Sequence, residues 1–69
     1  MSAADTLATY RRWLAIDSAR ARHLAAMFRV ADGRPFAGYE QRLDEYRTAC
    51  RRARRWQARI DELRAGALA

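Results

Sequence analysis

Between Arg47 and Arg59 the chain carries six arginines, at 47, 51, 52, 54, 55 and 59, and no acid. Four of them, Arg47, Arg51, Arg55 and Arg59, recur every four residues, a spacing that stacks side chains into one row along a helix. Like charges at this spacing destabilise an isolated helix by about 0.2 to 0.5 kcal/mol per pair, so such a row gains from an anionic neighbour. Asp44 stands within helical reach of Arg47, and Glu62 of Arg59, which leaves Arg51 and Arg55 as the uncompensated centre. Arg47, Arg51, Arg52, Arg54, Arg55 and Arg59 are therefore the expected contacts of an anionic partner. That partner is either an acidic protein surface or the phosphates of DNA or RNA. The row is interleaved with Thr48 and Ala58 and holds no aromatic side chain for base stacking, so a nucleic acid would be held by its backbone with little sequence readout. The bland alternative is a solvated polar face that keeps a small apolar protein in solution.

The remaining reactive side chains are few. His23 has no acid at a helical step that would mark it as a base, and it reads as a packed or boundary residue. Cys50 falls in an apolar row, where a free cysteine behaves as a small hydrophobe; Arg47, Arg51 and Arg54 around it would favour its thiolate only if it were exposed. Glu40, Asp44 and Glu45 cluster early in a helix, where acids compensate the helix dipole. Phosphate-binding glycine loops and nucleophile–base pairs are absent from the sequence, and one cysteine with one histidine cannot complete a four-ligand zinc site. The chain is expected to be no enzyme and to need no cofactor or metal. Asp17, alone among apolar neighbours, would be costly to bury unpaired, so an arginine across the fold, Arg52 or Arg42, is expected beside it.

The 69 residues suffice for one domain and carry a net charge of +6, which favours nucleic acid, an anionic membrane or an acidic protein as partner. All 14 basic residues are arginine and alanine fills 16 positions, a combination that GC-rich codons produce. The choice of arginine over lysine thus carries little information, whereas the placement of the arginines still does. A solitary cysteine excludes an intrachain disulfide and fits a reducing, cytoplasmic compartment. The amino terminus lacks a basic stretch followed by an apolar run, and no long apolar segment follows, so neither a signal peptide nor a membrane span is expected.

Two helices must position these groups. Ser2 and Asp5 have capping-box spacing, which starts a helix at Ala3. Leu7, Tyr10, Leu14, Ala21, Leu24, Phe28 and Ala31 then recur at steps of three and four, interrupted by Asp17. A second row, Trp13, Ile16, Met27 and Val30, lies beside the first, so the apolar arc is wider than a coiled-coil seam. Asp32-Gly33-Arg34-Pro35 ends this helix at about residue 31, with Gly33 as the left-handed cap. After a turn over about 32–37, the stripe Tyr39, Leu43, Tyr46, Cys50, Ala53, Trp56, Ile60 and Leu63 predicts a second helix over about 38–65, with Gly66 as its stop. Its start is open between Gly38 as N-cap and Pro35 as the first helical residue.

Two helices of near-equal length joined by a short turn pack antiparallel, so the fold class is all-α, a single helical-hairpin domain spanning 1–69. A core this small supplies roughly 3 to 5 kcal/mol at most, and a hairpin contact covers only part of the apolar arcs. Completion by homodimerisation into a four-helix bundle, or by docking on a larger protein, is expected. Tyr10, Trp13, Phe28, Tyr46 and Trp56 are the candidate interface residues, because aromatics dominate interface energetics; plain core packing explains them too. The function expected is a non-catalytic assembly module: an adaptor, a small accessory subunit or an inhibitor. The alternative is a sequence-tolerant nucleic-acid backbone binder. Membrane-surface binding ranks last, since both helices carry turn and capping signals of a folded hairpin.

Overall fold

The Oγ of Ser2, held in an extended conformation, accepts a hydrogen bond from the amide of Asp5 at 3.1 Å, and Asp5 sits in the positive first turn. The expected capping geometry thus launches the first helix, α1, over Ala3–Ala31. The second, α2, spans Tyr39–Leu68 and packs along α1, so the computed structural model is an all-helical antiparallel hairpin. It describes residues 2–68, and side-chain surroundings for 2–66.

The helix ends depart from expectation at Asp32 and Gly66, and the start of the second helix falls on one of its two expected alternatives. Asp32, rather than Gly33 alone, takes the left-handed conformation that ends α1 (φ 50°, ψ 50°), and its amide donates to the carbonyls of Phe28 and Arg29. Aspartate tolerates this region better than most side chains, and Gly33 follows with φ 78°. Pro35 lies in the turn and outside α2. Gly38 instead accepts from the amide of Arg42 at 2.9 Å, the first bond of α2, and does so with φ 78°. At the far end α2 runs through Gly66 to Leu68. One glycine costs a helix about 1 kcal/mol, which the neighbouring turns can absorb, so it permits a stop without requiring one.

The core is narrow. Leu24, Ala49 and Ile60 are its buried apolar side chains, exposed by 3%, 2% and 2%. Aromatic clusters pin the helices together on either side of it. Toward the turn, Phe28 meets Tyr39 edge-on at 5.3 Å and Tyr46 at 6.0 Å, and Phe36 from the connection joins them. Toward the open end, Trp56 lies between Tyr10, at 5.8 Å and near-parallel, and Trp13, at 4.7 Å. The hairpin measures 49 × 19 × 15 Å, a long slab with two broad sides.

Candidate interaction surfaces

Asp17 is the one buried charged side chain among the described residues, 7% exposed. Its Oδ2 accepts a hydrogen bond from the Trp56 indole Nε1 at 2.8 Å and lies 3.5 Å from the Arg52 guanidinium. The interruption in the α1 apolar row is thus the centre of a polar clasp across the helices. Of the two arginines expected for it, Arg52 is the partner. Arg42 pairs within its own helix with Glu45 at 2.9 Å, and Arg20 approaches the same carboxylate from α1 at 3.6 Å. The Arg42 hydrogen bond, aided by the charges of Arg42 and Arg20, holds the Glu45 carboxyl below the usual carboxylate range.

The candidate interface aromatics separate into two groups. Tyr10, Phe28, Tyr46 and Trp56 are half-buried and engaged between α1 and α2, where they build the hairpin. Trp13 alone is more than a third exposed, at 41%. It heads a ridge along α1 that continues through Ile16, 58% exposed, then Arg20, His23 and Met27, to Val30, 87% exposed. These positions alternate by three and four residues, so they share one side of the helix, turned about a quarter-circle from the side that meets α2. Near the turn the ridge borders an apolar depression of about 460 Å³ lined by His23, Ala26, Met27, Val30, Ala31 and Phe36. Ile16, Met27 and Val30 therefore belong with Trp13 in the candidate surface. Their spacing marks them as a row beside the core, but aromatic type alone does not select them.

The arginines are exposed throughout: Arg47, Arg51, Arg52, Arg54, Arg55 and Arg59 all face water. They do not form one site. Arg52 belongs to the Asp17 clasp, on the same broad side as the α1 ridge. Arg47, Arg51 and Arg54 line a separate groove with Tyr46 and Cys50. Cys50, next to Tyr46, pushes the Tyr46 phenol above its ordinary range, with the nearby Arg54 charge opposing. Arg59 pairs with Glu62 at 3.4 Å, as the helical spacing suggests. Asp44 makes no ion pair with Arg47 among the described residues, and Arg51 donates to the hydroxyl of Thr48 at 3.2 Å. A four-residue step advances about 40° around a helix, so the row from Arg47 to Arg59 winds from one broad side of the slab across its outer edge toward the other.

Among the described residues, no helix is long and apolar enough to cross a membrane, and no three His, Cys, Asp or Glu side chains gather as metal ligands. The chain matches no protein-family model, and neither a curated protein nor a solved structure shows significant similarity to it.

Proposed function

We propose that this chain is a non-catalytic protein-interaction module that acts by docking the α1 ridge, Trp13, Ile16, Met27 and Val30, onto a protein surface. The observation that carries this reading is the exposure of three large apolar side chains in one helical row, Trp13 at 41%, Ile16 at 58% and Val30 at 87%, on a hairpin that buries only Leu24, Ala49 and Ile60 as apolar core among its described residues. Large apolar side chains exposed together along one side of a helix are the kind of surface that marks interaction sites in soluble proteins. A small helical fold also gains from a partner the stability that its own core does not supply. Such a module would work as an adaptor, an accessory subunit or an inhibitor. The free thiol of Cys50 fits a cytoplasmic setting.

The test is the size of the particle that the chain forms in cells at its natural abundance. Wild-type protein is expected in a species larger than 8.0 kDa, and a variant carrying Ile16→Asp and Val30→Asp is expected to remain helical and to run alone. A wild-type chain found solely as the free 8.0 kDa species would refute the reading.

A second reading is favoured by one observation: Arg51 and Arg55 are exposed and lack an acidic partner among the described residues. Together with Arg47 they would hold nucleic-acid phosphates without reading bases. This surface and the α1 ridge are separate, so the two activities can coexist.

A further inference from the structure

We infer that the occupant of the α1 ridge is a second copy of this chain, docked so that the two α1 helices run antiparallel with Trp13 opposite Val30 and Ile16 opposite Met27. The inference rests on the docking function proposed above and specifies its partner. Three observations lead to it.

The first is the shape of the ridge. Read from either end, Trp13, Ile16, Arg20, His23, Met27 and Val30 alternate by the same steps of three and four residues. A two-fold axis between Arg20 and His23 therefore maps the row onto itself. It sets the bulkiest side chain, Trp13, over Val30 and the depression beside Phe36, while Ile16 meets the flexible Met27. Ala19 and Ala26 flank the row on its outer side and let two backbones approach closely.

The second is area. A stable interface covers about 800 Å² on each partner. The broad side of a slab 49 Å long and 19 Å wide presents roughly that much surface, within a total of 5437 Å². The ridge itself runs about 26 Å, long enough to seat five to six helical contacts. A hairpin with a core this thin gains stability from a cover, and a second copy is the one partner always present in equal amount.

The third is charge. The axis carries Arg52 and Glu45, both on this broad side, to places facing each other: Arg52 lies level with Asp17, and Glu45 borders the groove with Leu24 and Met27, about as far to the other side of the axis. Arg52 of each copy thus meets Glu45 of the second copy. Arg20, nearest the axis, already reaches sideways to Glu45 of its own chain. Arg47, Arg51 and Arg54 line a groove that this face does not include, so those three charges stay outside the interface.

Sedimentation equilibrium of the purified full chain and disulfide mapping test the inference together. The unmodified chain is expected to sediment at twice 8.0 kDa at micromolar concentration, and Ile16→Asp is expected to weaken the dimer at least about tenfold while the circular dichroism stays helical. In a Cys50→Ser background, the double variant Ile16→Cys, Met27→Cys is expected to form a covalent dimer on oxidation. The single variant Ile16→Cys should not, because the two copies of that position stand about 16 Å apart along the helices in the antiparallel register. The two cysteines of one chain are equally far apart, so an intrachain bond cannot mimic the result. Efficient cross-linking of the single variant, or a wild-type chain that stays an 8.0 kDa monomer, would overturn the inference. A monomer that still associates through Ile16 and Val30 in cells would leave the docking function standing with a different protein as partner.

Discussion

Replacing Asp17 with alanine removes the acceptor of the Trp56 indole and the counter-charge of Arg52 in one step. The indole bond goes to a carboxylate that is 7% exposed, and hydrogen bonds to charged groups contribute roughly 1.5 to 3 kcal/mol. Trp56 is only half-buried and can turn partly to water, which places its share toward the lower end of that range. Arg52 is 57% exposed at its side chain, so the ion pair adds no more than about 0.2 to 1 kcal/mol. Asp17→Ala should therefore cost about 2 to 3 kcal/mol, a large share of the roughly 3 to 5 kcal/mol that a core of this size provides. The midpoint of thermal unfolding, followed by circular dichroism at fixed protein concentration, should drop by about 10 to 20 °C. Asp17→Asn keeps an oxygen for the indole and loses the charge, so it should cost about half as much. Trp56→Phe removes the donor, and a double-mutant cycle with Asp17→Ala should return a coupling of about 1 to 2 kcal/mol. A cost below about 0.5 kcal/mol for Asp17→Ala, or a coupling indistinguishable from zero, would refute the idea that the clasp holds the helices in register.

Other perturbations separate the parts of the molecule. Gly38→Ala forces a side chain into a backbone with φ 78°, with open space around it, so its expected cost of about 1 to 2 kcal/mol in urea unfolding is conformational; an unchanged midpoint would contradict this. Asp32→Gly relieves the same kind of strain at the end of α1 and should stabilise by about 0.5 kcal/mol, less than the strain itself because glycine also loosens the unfolded chain. The Glu45 carboxyl is held low by Arg42 and Arg20, so the stability it contributes is present above the unfolded carboxylate range and is lost as pH falls through its folded value. Glu45→Gln should flatten that part of an acid-unfolding profile, and a profile identical to wild type would exclude the Arg42 and Arg20 contacts as its cause. For the phosphate-binding reading, Arg51→Glu with Arg55→Glu should abolish anisotropy-detected binding to mixed-sequence duplex DNA and RNA at near-physiological salt. Affinity unchanged by both reversals would remove its main support.

Much of the hairpin is legible in the residues because local signals and long-range pattern agree. The Ser2–Asp5 cap, the break after Ala31 and the apolar rows each point to two antiparallel helices. Details of the ends are less so: the left-handed residue falls on Asp32 as well as Gly33, and Gly66 stays helical, because a glycine permits a stop without requiring one. The site is legible at the level of rows. Spacing places Trp13, Ile16, Met27 and Val30 together, but which row faces α2 depends on how the helices roll against each other. That roll is set by the Asp17 clasp and the two aromatic clusters, all of them contacts between distant positions. For the same reason Tyr10, Phe28, Tyr46 and Trp56, chosen as aromatics, belong mainly to the hairpin's own packing. Arg52 separates from the other arginines because its partner comes from α1, which the composition of α2 alone does not reveal.

In cells the α1 ridge is expected to be covered by protein. A photoreactive benzophenone amino acid placed at Ile16 in the chain, produced in cells at natural abundance, tests it most directly, with the same group at Arg22 on the far side of α1 as control. A discrete adduct is expected from position 16, at twice the chain mass if the second copy is the partner, and none from position 22. Equal labelling from both positions, or no adduct from either, would contradict it.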